Sequence, residues 1–212
     1  MADWLNKTFY TIDYKMAQLF HLLETKGGAF TTHIMELVSV LGKAGIFMLL
    51  VALILCFFPK TRKMGVCIIF SIAISALITS IIIKPIVARA RPYETGKDFC
   101  TWWTNAGSHL EDSFSFPSGH STASMAFAFS IFAFSKHKKI SWLVFLFPIV
   151  MAMSRIYLMV HYFSDCLFGF LVGELTAFLS YFLVRLLFEK TKGKFNNFIN
   201  NFEIKDIFSK NK

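Results

Sequence analysis

Three short clusters in this chain carry side chains suited to phosphoryl transfer. They are Lys84 with Arg91-Pro92, Pro117-Ser118-Gly119-His120, and Ser154-Arg155 followed by His161 and Asp165. Together they supply fixed cations, two imidazoles, a carboxylate and a glycine turn. His161 and Asp165 stand at i and i+4, neighbours on one helical face, so the carboxylate can fix the imidazole tautomer and leave the other nitrogen as nucleophile or base. For an isolated pair in a soluble helix the better reading would be a satisfied structural contact. Its position at a membrane boundary beside Arg155 favours chemistry.

Lys84, Arg91 and Arg155 can form a cation cage for the charge that spreads over phosphoryl oxygens, with Arg as a planar fork and Lys as a point charge. Any one of them alone reads as an anchor at a span end, and Arg89 fits lipid phosphate as well as the cage. Pro117-Ser118-Gly119 at a helix start aims backbone N–H groups outward, an anion site. Ser118 can cap that helix or donate to a phosphate oxygen. His120 is placed to protonate a leaving oxygen. A cap followed by an incidental histidine is the plainer alternative.

These residues are positioned by apolar runs. The 212-residue chain is 55% hydrophobic with 26 Phe and only 17% charged, too apolar an exterior for a soluble domain of this length. Runs at 38–58, 64–83, 120–135, 140–157 and 163–184 predict five membrane spans in one all-α bundle, with no second domain. Residues 1–33 lack a signal-peptide pattern; Met16, Leu19, Phe20 and Leu23 recur at helical spacing, predicting an amphipathic helix lying on the bilayer. Pro148 predicts a kink in the fourth span.

The formal charge of +9 gathers at Lys60 to Lys63, at Lys136 to Lys139, and in the tail 185–212. Those regions fall on one side of five spans, which the positive-inside rule makes cytoplasmic. The charge therefore reflects topology rather than nucleic-acid binding. The outer loop 84–117 and the turn near Val160 then face outward, and all three clusters converge at the extracytoplasmic face. Trp102 and Trp103 in that loop read as headgroup anchors before substrate contacts. Cys56, Cys67, Cys100 and Cys166 lack metal-ligand spacing. His161, Asp165, Gly169 and Gly173 form one stripe, which predicts close helix packing.

Lys-x6-Arg-Pro, Pro-Ser-Gly-His and Ser-Arg-x5-His-x3-Asp, in that order, resemble the signature of the type 2 phosphatidic acid phosphatase (PAP2) superfamily, over roughly 38–184. The resemblance implies a PAP2/haloperoxidase-like membrane core of about five transmembrane helices, six counting the N-terminal one. It implies that Lys84, Arg91, Arg155, Ser118 and Gly119 bind phosphate, that His161 is the nucleophile forming a phosphohistidine, that Asp165 orients it, and that His120 is the general acid. It implies no metal ion or other cofactor. Three departures stand out: many bacterial members have six spans where this chain has the amphipathic segment in place of the first, Arg89-Ala90-Arg91-Pro92 replaces a common Arg-Pro-Arg-Pro, and Met159 replaces a common glycine two residues before the nucleophile. Glu174 lies outside the signature and would need a polar partner inside the bundle.

The expected function is a lipid phosphate or diphosphate phosphatase of the plasma membrane, with its C-terminus cytoplasmic. Undecaprenyl diphosphate is the preferred substrate; phosphatidylglycerol phosphate and phosphatidic acid present a phosphate at the same depth. A lipid phosphotransferase with a non-water acceptor is the second reading. A transporter or non-catalytic lipid-binding protein is the third, disfavoured because no repeated halves are visible. The sequence does not define the oligomeric state.

Overall fold

The computed structural model describes residues 1–190, and every regular element among them is helical. α1 (Ala2–Gly42) is bent at Gly28, where φ is 56°. A short turn leads to α2 (Ile46–Phe57), then α3 (Arg62–Ala76), which continues through a π-helical stretch at Leu77–Ile83 into α4 (Lys84–Val87). The outer loop carries α5 (Pro92–Thr95) and α6 (Lys97–Asn105). The remaining elements are α7 (Gly119–Phe134), α8 (Lys138–Ser141), α9 (Leu146–Tyr157) and α10 (Phe163–Lys190). The basic tail expected over 185–212 lies, beyond Lys190, outside the described residues.

Among the described residues, four helical stretches are long and apolar enough to cross a membrane: Ala2–Phe57, Arg62–Thr95, Lys138–Tyr157 and Phe163–Lys190. The expected span at 120–135 is α7, whose 16 residues extend only about 24 Å. It need not reach both faces, because it is the central helix, packed on α3, α9 and α10. Its buried positions are mostly small, including Ser121, Thr122, Ser124, Ala126 and Ala128. Facing them, α10 buries Gly169 and Gly173, where an added Cβ would stand 2.8 Å from the Ser118 carbonyl oxygen and 2.3 Å from that of Thr122. The glycine part of the stripe read from the sequence is therefore the seam on which α7 and α10 touch, while His161 lies in the turn before α10.

Polar side chains turn inward and large apolar ones outward, the arrangement that lipid favours. Ser71 meets Ser130 at 3.2 Å and Ser75 meets Thr176 at 2.6 Å across helix pairs. Leu171, Leu175, Phe178 and Leu179 are exposed on α10. Glu174 is exposed among them, so the expectation of a partner inside the bundle is not met: helical phase turns it outward, away from the α7 seam.

The N-terminal segment is part of the protein core. Beyond its bend at Gly28, α1 runs on past the expected boundary at residue 33 and packs on α9 and α10. Phe20 is buried in the cluster that contains Tyr157 and Tyr162, while Leu19, Leu22 and Leu23 stay exposed. Pro148 falls in the first turn of α9, just after a 3-10 turn at Trp142–Phe145. The expected irregularity is there, before the proline rather than after it, because proline removes a backbone donor needed only by the preceding turn.

Candidate active site

The predicted residues come from element ends that the bundle gathers at one end. The π-helical stretch ends at Lys84, and π-bulges are a recurrent means of re-aiming a functional side chain. Ala88 in a left-handed conformation (φ 49°) then stops α4. Arg91, extended, precedes α5 and caps it together with Glu94. Both cations are held by one serine of the outer loop. Lys84 Nζ donates to Ser113 Oγ at 2.7 Å, Arg91 Nη2 donates to the same oxygen at 3.3 Å, and Arg91 Nε donates to the Ser113 carbonyl at 2.7 Å.

His161 lies in the turn between α9 and α10. Its Nδ1 faces Asp165 Oδ2 at 3.6 Å and Ser115 Oγ at 3.4 Å, and its Nε2 faces Arg91 Nη1 at 3.4 Å. A proton on Nδ1, directed at the carboxylate, leaves the Nε2 lone pair pointing into the cation cage. Burial, followed by Arg91, Arg155 and Lys84, pushes the His161 imidazole well below its usual value of 6.5, so the ring is neutral there. Met159, in the same turn, has φ 53°. That left-handed position explains the glycine common to the family, and Met holds it at a cost of about 1–2 kcal/mol.

Asp165 is fully buried and multiply held. Ser115 Oγ donates to its Oδ2 at 2.5 Å and the Tyr162 amide to the same oxygen at 3.0 Å, while Arg89 Nη1 donates to Oδ1 at 2.6 Å. Arg89 is itself buried, with no exposure to lipid headgroups. It belongs beneath the carboxylate, neither in the cage nor at the bilayer surface.

Ser118 is the N-cap of α7: its Oγ accepts from the Ser121 amide at 3.4 Å, and its own amide donates to the Asp165 carbonyl at 3.1 Å. The hydroxyl is thus engaged in the cap, and the adjacent Gly119 and His120 line the site. Gly42 of α1 lies against His120, where an added Cβ would stand 2.5 Å from the ring.

A cavity of about 390 Å³ is lined by Lys84, Arg91, His120 and His161, with Gly119, Ile72, Ser75, Ala76 and Thr79 among the other lining residues. A second cavity of about 450 Å³ shares His120 and Glu111 and is lined by Arg155. Arg155 is buried and donates through Nη1 to Ser39 and through Nη2 to Glu111 Oε1, while its Nε has no partner. Glu111 also stands 3.9 Å from Arg91 Nη2. Arg155 first, then Arg91 and Lys84, hold its carboxyl below the usual carboxylate range against the opposing effect of burial.

Glu111, Ser113 and Ser115 are site residues that the sequence did not single out. They lie in a loop without periodicity, and nothing in their spacing signals contact with the motifs. Trp102 and Trp103 pack on protein: Trp102 stacks on His21 at 4.9 Å and Trp103 lies 4.9 Å from Tyr93.

A model of the PAP2 superfamily matches residues 64–189, more than half of the 212-residue chain. The chain belongs to the PAP2 superfamily. Among curated relatives, this PAP2 protein is 38% identical over 92 residues to phosphatidylglycerophosphatase B of Bacillus subtilis (strain 168), covering 39% of this chain and 43% of that protein. It therefore spans less than half the length of that relative. It is 28% identical over 167 residues to undecaprenyl-diphosphatase of Sulfolobus acidocaldarius, covering 77% of this chain and 75% of that one. The crystal structure of a transmembrane PAP2-type phosphatidylglycerolphosphate phosphatase from Bacillus subtilis aligns with a TM-score of 0.65 at 24% identity, over 91% of this chain and 92% of that one. Aquifex aeolicus LpxE aligns with a TM-score of 0.53 at 21% identity, over 77% and 92%. These two likenesses establish the fold: this PAP2 protein is a multi-pass membrane helical bundle.

Proposed function

We propose that this PAP2-type phosphatase removes the terminal phosphate of a membrane lipid through a phosphohistidine on His161, with undecaprenyl diphosphate as the preferred substrate. The observation that carries the reading is the cavity lined together by Lys84, Arg91, His120 and His161. A lipid phosphate can enter that cavity while its tail stays in hydrocarbon. The relatives named for activity on undecaprenyl diphosphate and on phosphatidylglycerol phosphate support that substrate class.

In the proposed first step, the Nε2 lone pair of His161 forms the P–N bond and the bond from phosphorus to the leaving oxygen breaks. His120 delivers a proton to that oxygen. Asp165 stabilises the positive charge that His161 acquires, and Lys84, Arg91 and Arg155 stabilise the equatorial oxygens. In the second step His120, now neutral, takes a proton from water as the water attacks phosphorus and the P–N bond breaks. Inorganic phosphate leaves and both imidazoles are restored.

The site is proposed to face outward, because Lys60 to Lys63, Lys136 to Lys139 and Arg185 fall at the opposite ends of the helices. Phosphate release by purified protein should be measured on undecaprenyl diphosphate, phosphatidylglycerol phosphate and phosphatidic acid, with and without EDTA. His161→Ala should abolish release from every lipid, and EDTA should leave the wild type active. Full activity in that variant, or a metal requirement, would overturn the reading.

A further inference from the structure

We infer that Asp13 of the N-terminal helix is a positioning residue for the reaction, acting through Arg89 on Asp165. The inference rests on the phosphohistidine reading above. It concerns a residue outside all three motifs, 152 positions before Asp165 in sequence.

Asp13 is 2% exposed. Its carboxylate accepts from Arg89 Nη2 at 2.8 Å, from the Ser164 amide at 2.8 Å and from Ser164 Oγ at 2.8 Å. Arg89 places three further donors on the same assembly. Nη1 donates to Asp165 Oδ1 at 2.6 Å and to Ser164 Oγ at 2.8 Å, and Nε donates to Asn6 Oδ1 at 2.9 Å. The guanidinium lies over the Tyr162 ring at 3.9 Å. Arg89 is thus a single buried cation fixed between two buried carboxylates.

Two consequences follow for His161. The first is geometric. Arg89 occupies Oδ1 of Asp165, so Oδ2 is the oxygen left to face His161, together with Ser115 and the Tyr162 amide. Asp13 sets the height and tilt of the guanidinium that makes this choice, and a planar fork transmits orientation from one carboxylate to the other. The second is electrostatic. A lone Arg89–Asp165 pair would be neutral and would cancel most of the field that Asp165 offers to a positively charged imidazole. With Asp13 the assembly carries one net negative charge beneath His161. That charge opposes the cations above and favours the imidazolium that forms as the P–N bond is made. Hydrogen bonds that orient a metal-binding histidine are worth about 10–100-fold in activity, and the same order is expected for the bridge that orients Asp165.

The test uses the full-length protein in the lipid-phosphate assay, with wild type and His161→Ala as references. Asp13→Asn keeps an acceptor for the Ser164 amide but removes the charge. It should lower kcat by about 10–100-fold with KM within about twofold, because the cage is untouched. Combining it with Arg89→Gln should cost no more than the worse single variant, since both act through one bridge. A strap that merely holds α1 in place would lower the amount of folded protein and leave the kcat of the folded fraction alone. If Asp13→Asn yields no folded protein, Asp13→Glu decides: it keeps the charge but displaces the carboxylate, and kcat should fall three- to tenfold at unchanged KM. Unchanged kcat in the folded variant, or losses that multiply in the double variant, would overturn the inference while leaving the phosphatase reading intact. A wild type without phosphate release would remove both together.

Discussion

Glu111 is ion-paired to Arg155 at the edge of the cation cage, with Arg91 3.9 Å from the other carboxylate oxygen. A carboxylate therefore sits where two of the three predicted phosphate-binding cations converge, and an incoming phosphate must compete with it.

That relationship predicts the effect of Glu111→Gln. The pair is partly exposed, and such pairs are worth about 0.5–1 kcal/mol. Removing the charge should lower KM for lipid phosphate by about two- to fivefold with little change in kcat. A raised KM would mean that Glu111 serves chiefly to hold Arg155 in place. Because Glu111 is held below the ordinary carboxylate range, mild acid will not mimic the variant.

The environment of His161 predicts the pH profile. In the proposed mechanism its neutral form is the nucleophile, and burial with nearby cations lowers its proton affinity well below the usual 6.5. The acid limb of kcat/KM should accordingly lie below that pH, with no loss of kcat/KM as pH falls from 7 through 6.5. A limb centred at 6.5 or above would contradict the burial and cation field assigned to the ring. Stability moves in the same direction: below about pH 6.5 the unfolded chain binds a proton at this position that the folded protein does not, so this group lowers stability as pH falls. Denaturation in detergent at pH 7.5 and 5.5 measures it.

Ser115 donates to Asp165 Oδ2 at 2.5 Å and lies 3.4 Å from His161 Nδ1. Ser115→Ala removes one of the donors that hold the carboxylate oriented. The expected result is a fall in kcat of roughly tenfold, at the lower end of effects seen for supporting hydrogen bonds, with KM little changed. Steady-state kinetics of the purified variant would show it, and an unaltered kcat would assign the alignment to Arg89 and the Tyr162 amide alone.

At Gly173 an added Cβ would approach the Thr122 carbonyl oxygen to 2.3 Å and the Ala126 nitrogen to 3.0 Å. Both are backbone atoms of the central helix and neither can swing aside. Gly173→Ala should destabilise the protein by about 1–3 kcal/mol, the usual cost of overpacking, and should lower the thermal midpoint in detergent. Since α7 carries His120, activity should fall with it. Wild-type stability in this variant would mean that the two helices are more loosely packed than the seam described above.

Much of this protein was legible without coordinates. Lys84, Arg91, His120, His161 and Asp165 announce themselves because they fall in short, fixed spacings, and apolar runs of span length place every cluster at a helix end. One face of a helix follows from period alone, which is why the Gly169 and Gly173 seam could be read directly. The outward turn of Glu174 could have been read the same way, since its phase differs from theirs. What the chain alone did not disclose are contacts between distant segments. Ser115 meets Asp165 across 50 positions, Asp13 meets Arg89 across 76, and Glu111 meets Arg155 across 44. None of these leaves a periodic trace, because a loop residue or a single polar residue on an amphipathic helix acquires its partner only when helices pack. Local spacing fixed which groups could do the chemistry; tertiary packing decided which buried charges hold them in register.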